Sequence, residues 1–554
     1  MGPVRTAFAL FRRTRQIAVA LARHGLGYLA FELRLGRYLP LRRLRRPAPE
    51  EASRGRHLRL ALEEMGTTFI KVGQIVSTRP DLVPPDIAAE LARLQDAAPP
   101  EPWERMRGVV ERELQRPVGE VFAEIDPVPI AAASIGQVHR AVLHGGEVVA
   151  VKVQRPWVPA QVAIDLRVLR RLAAVASRNP ALRAYQPEQV VDDFARTLQG
   201  ELDYARERRN LERYGRDLEH EAGVRAPRAF AELSTRRVLT MEYVAGARVD
   251  DLAALASMGA DRRLLARRLA GLLFRSALER GFFHADPHPG NFFVTGADEV
   301  VLLDFGMMGY LTPVERSRLV EVLLAVVEND PERATDRLLD LGLRARGPQA
   351  RLLQRELGRL LYDYADLPLG EVPMGEILAR VVEIVRDLQL RLPAQLSMLI
   401  KTLIMAEGLG LRLDPEFQLI PVARRLVRRA LVRRFRPERL GRRLGRGALD
   451  ALSLMEEGPG TVRRLADRME RGDLELEIHV EQREFLWELE RIVRSLKMSA
   501  LSAAAILAMG LLTLAHPPPG WERWAGWAFG GGLIATASLV AYLFFDNFRS
   551  RTPR

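Results

Sequence analysis

The pattern of hydrophobic and polar positions begins with a helical stretch and then changes to a β pattern. Residues 57–78 repeat apolar positions at helical spacing and stop before Arg79 and Pro80, because the residue before a proline is biased away from helix. A strand-like run, EVFAEID, follows. Two further β-branched runs then flank a Gly-Gly pair at 145–146, which predicts an antiparallel hairpin.

The hairpin is followed by a long helical pattern that includes residues 199–215. On one regular helix, positions three and four apart share a face, which groups three polar residues: Asp203, Glu207 and Asn210. On the same helix Glu201 points elsewhere unless Gly200 bends the backbone. The pattern therefore predicts one helix whose polar face carries candidate functional groups.

The next elements are a strand, several helices and a second hairpin. Residues 237–246 form a strand pattern that leads into a crossing segment. Two short apolar runs later flank a Gly-Ala-Asp turn at 296–298, with Asn291 at the start of the first and Asp304 at the end of the second. This hairpin brings Asn291 and Asp304 side by side. From about 311 to 450 the pattern is helical.

Two uncharged stretches near the C-terminus predict a transmembrane hairpin. Residues 498–515 and 525–545 are each about long enough to cross a hydrocarbon layer of roughly 30 Å. Trp521 and Trp524 in the turn suit the headgroup region, and the flanking arginines put both termini in the cytosol. We expect an inner-membrane location without a cleavable signal peptide. A buried apolar helix pair in a soluble core is the alternative.

The charge balance indicates an anionic partner. Lys and Arg number 83 against 70 Asp and Glu, a net charge of +13. The basic runs near the N-terminus and at 424–447 lack interleaved aromatics and any nucleic-acid module, so we expect anionic lipid and no nucleic acid. Solvated basic surfaces are the alternative. The absence of cysteine excludes disulfides, zinc–thiolate sites and thiol nucleophiles.

Lysine is rare among the basic residues. Of the 83, only four are lysine: Lys71, Lys152, Lys401 and Lys497. A compact ammonium suits a buried phosphate or carboxylate contact where a planar guanidinium would not fit. Two of these lysines, Lys71 and Lys152, fall inside motifs. Chance alone accounts for one or two of the four.

Several polar residues occur in the order that phosphoryl transfer by a protein kinase requires. Lys152 in VAVK would hold the α- and β-phosphates and pair with Glu207. Asp286 would orient the nucleophile, while Asn291 and Asp304 would bind Mg²⁺, which prefers carboxylate and amide oxygens. Each piece alone is weak, but the joint spacing is specific. It predicts binding of ATP or ADP with Mg²⁺.

Two features depart from ordinary protein kinases. The phosphate loop has alanines where glycines would allow close backbone approach, and the DFG at 304–306 runs into a helix without an activation segment. The nucleotide-binding candidates in this loop and strand are Ala131, Ala132, Ala133, Ser134, Ile135, Gly136, Gln137 and Val138. In the crossing segment the candidates are Glu242 and Val244.

Together the motifs KVGQ, AAASIGQVH, VAVKVQRP, ELDYxxE, HADPHPGN and DFG closely resemble the UbiB/AarF family of atypical kinase-like proteins, over roughly residues 57–420. The resemblance implies an N-terminal extension folded over the active site. Its KxGQ motif contains Lys71 and Gln74, and its lysine would contact Glu201 and Asp203. Whether both acids contact Lys71 stays open. The alanine-rich loop implies a lipid-stimulated ATPase or small-molecule kinase.

The predicted fold class is α+β: a bilobal protein-kinase-like fold with a small β-rich lobe and a helical lobe. We divide the chain into a basic helical segment, a KxGQ extension, two kinase-like lobes, linker helices and the transmembrane hairpin, with these boundaries: 1–56, 57–130, 131–245, 246–450, 451–497 and 498–546.

The leading functional hypothesis is a membrane-anchored, Mg²⁺-dependent ATPase or atypical kinase that supports isoprenoid-quinone or other lipid metabolism. The expected partners are nucleotide, anionic lipid, isoprenoid-quinone intermediates or their biosynthetic enzymes, and a second copy of the chain. The alternatives are a true protein kinase, or a nucleotide-gated scaffold that binds lipid or partner enzymes without turnover.

Overall fold

The structure is a computed structural model that describes residues 3–419, apart from short gaps at 36–50, 78, 80–82, 95–97, 180–182, 184–185, 220, 297, 344, 346, 365–372 and 391. The basic run at 424–447, the linker helices and the predicted transmembrane hairpin lie outside the described residues. Within the described part, no helix combines the length and apolar character needed to cross a membrane.

Five helices at the N-terminus form a layer with its own core: α1 (Pro3–Arg23), α2 (Gly27–Glu32), α3 (Glu51–Met65), α4 (Thr67–Ser77) and α5 (Pro85–Leu91). Ile17 and Leu21 of α1 pack with Leu62 and Phe69 of α3 and α4. The helical pattern over 57–78 is interrupted at Gly66, whose φ of +88° favours glycine. It therefore forms two helices.

A five-stranded antiparallel sheet follows two helices, α6 (Trp103–Leu114) and α7 (Val118–Val121). Its strands are β1 (Phe122–Ile125), β2 (Ala131–Ala132), β3 (Gly136–Leu143), β4 (Val148–Gln154) and, later in the chain, β6 (Val238–Glu242). The order is β1-β3-β4-β6, and β2 pairs with β3. The predicted hairpin is β3–β4, with Val138 opposite Lys152, and it is confirmed.

Three helices connect β4 to the second part of the fold: α8 (Val158–Ala176), α9 (Pro187–Glu201) and α10 (Tyr204–Leu218). The prediction of one continuous helix through residues 199–215 is wrong. The helix breaks after Glu201, and Asp203 becomes the N-cap of α10 with φ −108° and ψ 87°. Its carboxylate accepts a hydrogen bond from the Arg206 amide, as N-cap aspartates do.

The second β region holds the other predicted hairpin. A four-stranded sheet has the order β5-β10-β9-β7, and a separate antiparallel pair joins β8 and β11. These strands are β5 (Val224–Arg225), β7 (Ala247–Arg248), β8 (Phe282–His284), β9 (Phe292–Thr295), β10 (Glu299–Leu302) and β11 (Met308–Tyr310). Glu299 faces Thr295 across β9 and β10, so the hairpin prediction is confirmed.

The remaining α-helices of the described part lie between β7 and β8 and after residue 311, two regions where the sequence predicts helices. They are α11 (Leu252–Ser257), α12 (Arg262–Arg275), α13 (Pro313–Val327), α14 (Pro331–Asp340), α15 (Pro348–Asp363), α16 (Met374–Asp387) and α17 (Ala394–Leu413). Helices α12 and α17 bury Leu269, Leu273 and Leu409 in one core with Phe292 and Val300 of the second sheet. The described fold is therefore α+β, as predicted.

Candidate active site

An ion pair links the first sheet to α10. The Lys152 ammonium on β4 lies 2.7 Å and 3.0 Å from the two carboxylate oxygens of Glu207, which is only 3% exposed. Burial lowers the pKa of Lys152, but Asp304 and Glu207 together raise it above its usual value. The ammonium therefore stays charged, and Glu207 fixes its direction.

Asp304 lies close to this ammonium at the end of the β9–β10 hairpin. Its Oδ1 accepts a hydrogen bond of 2.8 Å from the Gly306 amide. Burial raises the pKa of Asp304, but Lys152, the Gly306 amide and Lys71 act in the opposite direction, and the pKa is lowered. The group is a carboxylate at neutral pH, and its second oxygen remains available.

The loop after β8 is held by a buried histidine. His284 Nε2 lies 2.6 Å from the Asp304 carbonyl oxygen, and the Asp286 amide donates to His284 Nδ1 at 3.3 Å. Burial lowers the pKa of His284, so the neutral ring can donate at Nε2 and accept at Nδ1. The histidine therefore ties the loop carrying Asp286 to the strand end carrying Asp304.

Asp286 pairs with a lysine that comes from a distant helix. Lys401 of α17 donates a hydrogen bond of 2.8 Å to Asp286 Oδ1. Burial would raise the pKa of Asp286, but the Lys401 ammonium lowers it below its usual value. The sequence pattern did not assign a role to Lys401, although the rarity of lysine singled it out and the family resemblance reaches the stretch around it.

Asn291 presents a defined side-chain oxygen. Its Nδ2 donates to the Asp286 carbonyl oxygen at 3.1 Å, which assigns the amide orientation from the hydrogen bond. The Leu303 amide donates to the Asn291 carbonyl at 3.0 Å and couples the two ends of the hairpin. Asn291 Oδ1 is therefore the side-chain atom left for a ligand.

The donor set fits a magnesium ion that binds together with a nucleotide. Magnesium is usually held by one or two protein carboxylate or amide oxygens, with phosphates and waters completing its shell. Asp304 and Asn291 supply two such oxygens. Among the described residues, no group of three or more His, Asp or Glu side chains forms a ready-made metal site. The protein thus offers two oxygen ligands for a magnesium ion whose other ligands would be nucleotide phosphates and waters.

The alanine-rich segment forms a strand and a tight turn. Ala131 and Ala132 pair with Val138 and Gln137 of β3, and the Ala133 amide donates to the Gly136 carbonyl at 2.8 Å. The Arg155 side chain donates to the Ala133 carbonyl at 3.0 Å. The segment is therefore held from both sides by backbone and side-chain contacts.

The turn at Ser134 to Gly136 is covered by α4. Ile135 packs with Val72 and Ile75 of α4, and the Thr67 hydroxyl donates to the Ser134 carbonyl at 3.3 Å. Gly136 has no room for a side chain, because a Cβ there would lie 2.6 Å from the Val153 carbonyl oxygen and against the Tyr204 hydroxyl.

Some predicted nucleotide-binding residues direct their side chains to other protein groups. The Gln137 side chain accepts from the Glu101 amide at 2.9 Å and lies 2.9 Å from His139 Nε2. The Glu242 carboxylate pairs with Arg225 at 3.0 Å. Val244 is buried. The side chains of Gln137 and Glu242 are therefore engaged within the protein and not directed to a nucleotide.

The KxGQ motif lies on α4 and contacts the helix break. The Lys71 ammonium lies 3.3 Å from a Glu201 carboxylate oxygen, and Gln74 donates to the Leu94 carbonyl at 3.0 Å. Lys71 also acts electrostatically on Asp304 and lowers its pKa. A contact between Glu201 and Lys71 required a bend in the helical pattern, and the helix break after Glu201 supplies it. The Asp203 carboxylate caps α10.

Replacing Ala132 by Gly is expected to change nucleotide affinity. A glycine in β2 loses more conformational entropy on folding than an alanine does, which costs about 0.5–1 kcal/mol. The pairing of β2 with β3 should therefore loosen. The measurement is the Kd for ATP and for ADP by titration of the full-length protein. Ala123→Gly, an exposed alanine on β1, is the control. Equal affinities for both variants and the wild type would contradict a nucleotide role for β2.

Comparison with known proteins agrees with the motif pattern. Residues 93–338 match the family model described as ABC1 atypical kinase-like domain, and residues 357–418 match the UbiB helical domain. The catalytic-loop candidates fall in the first region and Lys401 in the second. The predicted kinase-like α+β fold is confirmed at this level.

Relatives extend the similarity over most of the chain. A "Probable protein kinase UbiB" of Pseudomonas fluorescens is 34% identical over 525 residues, which cover 92% of this chain and 96% of that protein. "Protein ACTIVITY OF BC1 COMPLEX KINASE 7, chloroplastic" of Arabidopsis thaliana is 34% identical over 464 residues, covering 82% and 66%.

A solved structure with weaker similarity is titled "The complex structure of Rv3197-erythromycin from Mycobacterium tuberculosis". It is 23% identical, with a TM-score of 0.43, and covers 64% of this chain and 90% of that chain. The family models and the long, 34% identical relative are sufficient: the chain belongs to the UbiB family of ABC1 atypical kinase-like proteins.

Proposed function

We propose that the protein is a Mg²⁺-dependent ATPase or atypical kinase that transfers the γ-phosphoryl group of ATP to water or to a small acceptor. The observation that carries this proposal is the convergence of a fixed ammonium, Lys152, with the ionised Asp304 and the loop of Asp286 and Asn291. Phosphoryl transfer requires mainly such positioning and charge neutralisation.

Each residue has one physical task in this mechanism. Lys152, held by Glu207, would bind the α- and β-phosphates, and Asp304 with Asn291 would hold the metal. When bound, the magnesium ion would neutralise charge on the phosphates. Asp286 would accept a hydrogen bond from the attacking hydroxyl or water and so orient it.

The KxGQ extension supports a small acceptor over a polypeptide. Helix α4 covers the turn at Ser134 to Gly136 through Ile135, and Lys71 on α4 acts on Asp304. A helix in that position would restrict an extended peptide more than water or a small lipid-derived acceptor. We therefore favour an ATPase or small-molecule kinase that serves isoprenoid-quinone or other lipid metabolism.

Lipid analysis of a deletion strain tests the metabolic part of the proposal. We expect the deletion to lower an isoprenoid quinone and to accumulate a precursor. The wild-type protein should restore the quinone, whereas Asp286→Asn should not. Full restoration by Asp286→Asn would instead favour the scaffold without turnover, and unchanged lipids in the deletion strain would contradict a role in this metabolism.

We also propose that an exposed face of α1 contacts anionic lipid. Phe8 and Phe11 are 67% and 53% exposed, and Arg12 and Arg15 are exposed on the same helix face. The opposite face of α1 is buried against α3 and α8. Aromatic and basic side chains on one face are typical of helices that lie in a membrane interface. This face of α1 would add to the attraction between the basic runs and anionic lipid.

The lipid proposal predicts that ATP hydrolysis rises in anionic membranes. The attraction is about 1 kcal/mol per basic residue near the surface, so salt should weaken it. We expect faster hydrolysis in phosphatidylglycerol than in phosphatidylcholine nanodiscs. The double variant Phe8→Ser/Phe11→Ser should lose most of this difference. Tyr362→Ser, at an exposed tyrosine on α15, is the control. Equal rates in both lipids would contradict the proposal.

The membrane anchor itself is proposed from the two uncharged stretches at 498–515 and 525–545. Because the chain has no cysteine, single cysteines report topology without background. Glu522→Cys should react with a membrane-impermeant maleimide in intact spheroplasts, whereas Ser550→Cys should not. The opposite labelling pattern would contradict the proposed orientation with both termini in the cytosol.

A further inference from the structure

Within the described part of the chain, every lysine pairs with an acidic residue of the candidate site. Lys71 contacts Glu201, Lys152 contacts Glu207, and Lys401 contacts Asp286. The first two lie in motifs close to the nucleotide site, but Lys401 is contributed by a helix far along the chain. Its contact with Asp286, the candidate nucleophile-orienting group, has no task in the proposed mechanism.

We propose that Lys401 is a positioning residue that holds the Asp286 carboxylate in the orientation needed for phosphoryl transfer, which makes α17 a required part of the active site. This inference rests on the proposed function and adds to it a residue from the UbiB helical domain. It also gives that domain a task in the reaction, since residues 357–418 contain Lys401.

The geometry shows that α17 is firmly placed against the loop. Thr402, the next residue, is fully buried and its hydroxyl lies 3.2 Å from the His284 carbonyl oxygen. Leu399 packs with Phe283 and Ala285, which flank His284. Three neighbouring residues of α17 therefore contact this region. Leu399 packs on the apolar residues beside His284, Lys401 binds the Asp286 carboxylate, and Thr402 binds the His284 backbone. A helix fixed in this way can set the direction of a carboxylate.

The charges explain why Asp286 needs a cation. The Asp286 amide and the Asp304 carbonyl are both hydrogen-bonded to His284, so two carboxylate residues meet in one site. An incoming ATP would add further negative charge. Lys401 occupies Asp286 Oδ1 and leaves Oδ2 for the hydrogen bond from the acceptor. Without it, repulsion would favour a carboxylate orientation away from the phosphates.

The first test separates turnover from nucleotide binding. Lys401→Met should lower kcat about 100-fold, the loss expected when a reacting group is misplaced by about 1 Å. The Kd for ATP should stay within twofold, because Lys152, Asn291 and Asp304 are unchanged. Lys401→Arg should recover only part of kcat, because the planar guanidinium fits the site poorly. Arg412→Met, which removes an exposed cation from the same helix, should keep wild-type kcat.

A double-mutant cycle tests whether Lys401 acts through Asp286. If it does, Lys401→Met added to Asp286→Asn should cause no further loss of kcat, because coupled residues are not additive. A full additional 100-fold loss would overturn the proposal, as would wild-type kcat for Lys401→Met. A lower melting temperature with weaker ATP binding and unchanged kcat would show a merely structural role.

A second measurement tests the contact independently of turnover. With ¹³Cε-lysine labelling, the four lysines give four side-chain NMR signals, and Lys401→Arg identifies the one from Lys401. Asp286→Asn should shift this signal more than those of Lys71 and Lys152. An unshifted Lys401 signal would overturn the proposed contact. If Asp286→Asn shifts the Lys401 signal but the wild type shows no turnover, the contact between Lys401 and Asp286 is supported and the proposed function is contradicted.

Discussion

Asp304→Asn is expected to abolish the Mg²⁺-dependent stabilisation of the protein by ATP. The Asp304 carboxylate is ionised beside Lys152, and its Oδ2 is the strongest anionic ligand that the β9–β10 hairpin offers. An amide keeps the size of the group and an oxygen for the Gly306 amide, but it removes the charge. The melting temperature should therefore rise with Mg-ATP for the wild type and stay unchanged for the variant.

Asp192→Asn provides the matched control for this experiment. Asp192 is an exposed carboxylate on α9 that pairs with Arg170, so its replacement removes one negative charge outside the site. The control should show the wild-type rise in melting temperature. The same rise in Asp304→Asn would remove Asp304 from its proposed role as a metal ligand.

Lys152→Met should strongly destabilise the protein as well as prevent ATP binding. The substitution leaves the Glu207 carboxylate buried without its ammonium partner. Breaking a buried pair from one side typically costs about 3–5 kcal/mol, because an uncompensated charge remains. The free energy of unfolding, measured by urea titration of the full-length protein, should fall by about this amount.

The double variant Lys152→Met/Glu207→Leu separates stability from function. Replacing both charges by apolar groups removes the buried charge, so most of the lost stability should return. ATP binding should remain absent, because the ammonium is still missing. If Lys152→Met alone had the same unfolding free energy as the wild type, Lys152 and Glu207 would not form a coupled buried pair.

The two hairpins could be predicted because their signals are local. Alternating β-branched residues around Gly145 and Gly146 specify β3 and β4, and the turn at 296–298 specifies β9 and β10. For the same reason the sequence predicted the set of phosphoryl-transfer residues, which are Lys152, Glu207, Asp286, Asn291 and Asp304. Each lies in a short pattern, and phosphoryl transfer requires that set of groups.

The helix break at Asp203 was missed although the sequence contains a signal for it. Asp is a preferred N-cap residue, and its carboxylate can satisfy an amide at the start of a new helix. Helical spacing continues across the break in the sequence, since Asp203 lies four positions before Glu207 and seven before Asn210. The capping signal therefore competed with the periodicity, and the structure follows the cap.

The strand at Ala131 and Ala132 and the contact of Lys401 depend on tertiary structure. Alanine has little β propensity, yet the pairing with β3 and the hydrogen bond from the Ala98 amide hold this segment extended. Lys401 and Asp286 are 115 residues apart. No local pattern predicts which side chains meet over that separation, so only the fold identifies the pair.

ATP turnover by the purified full-length protein in anionic nanodiscs with Mg²⁺ decides whether the protein is an ATPase or kinase. We expect steady release of phosphate, or transfer of the γ-phosphoryl group, by the wild type. Asp286→Asn should bind ATP with similar affinity but turn it over about 100 to 10,000 times more slowly, the usual contribution of a positioned acid or base. A wild type that binds Mg-ATP but shows no turnover, or turnover equal to that of Asp286→Asn, would contradict the proposed ATPase or kinase activity.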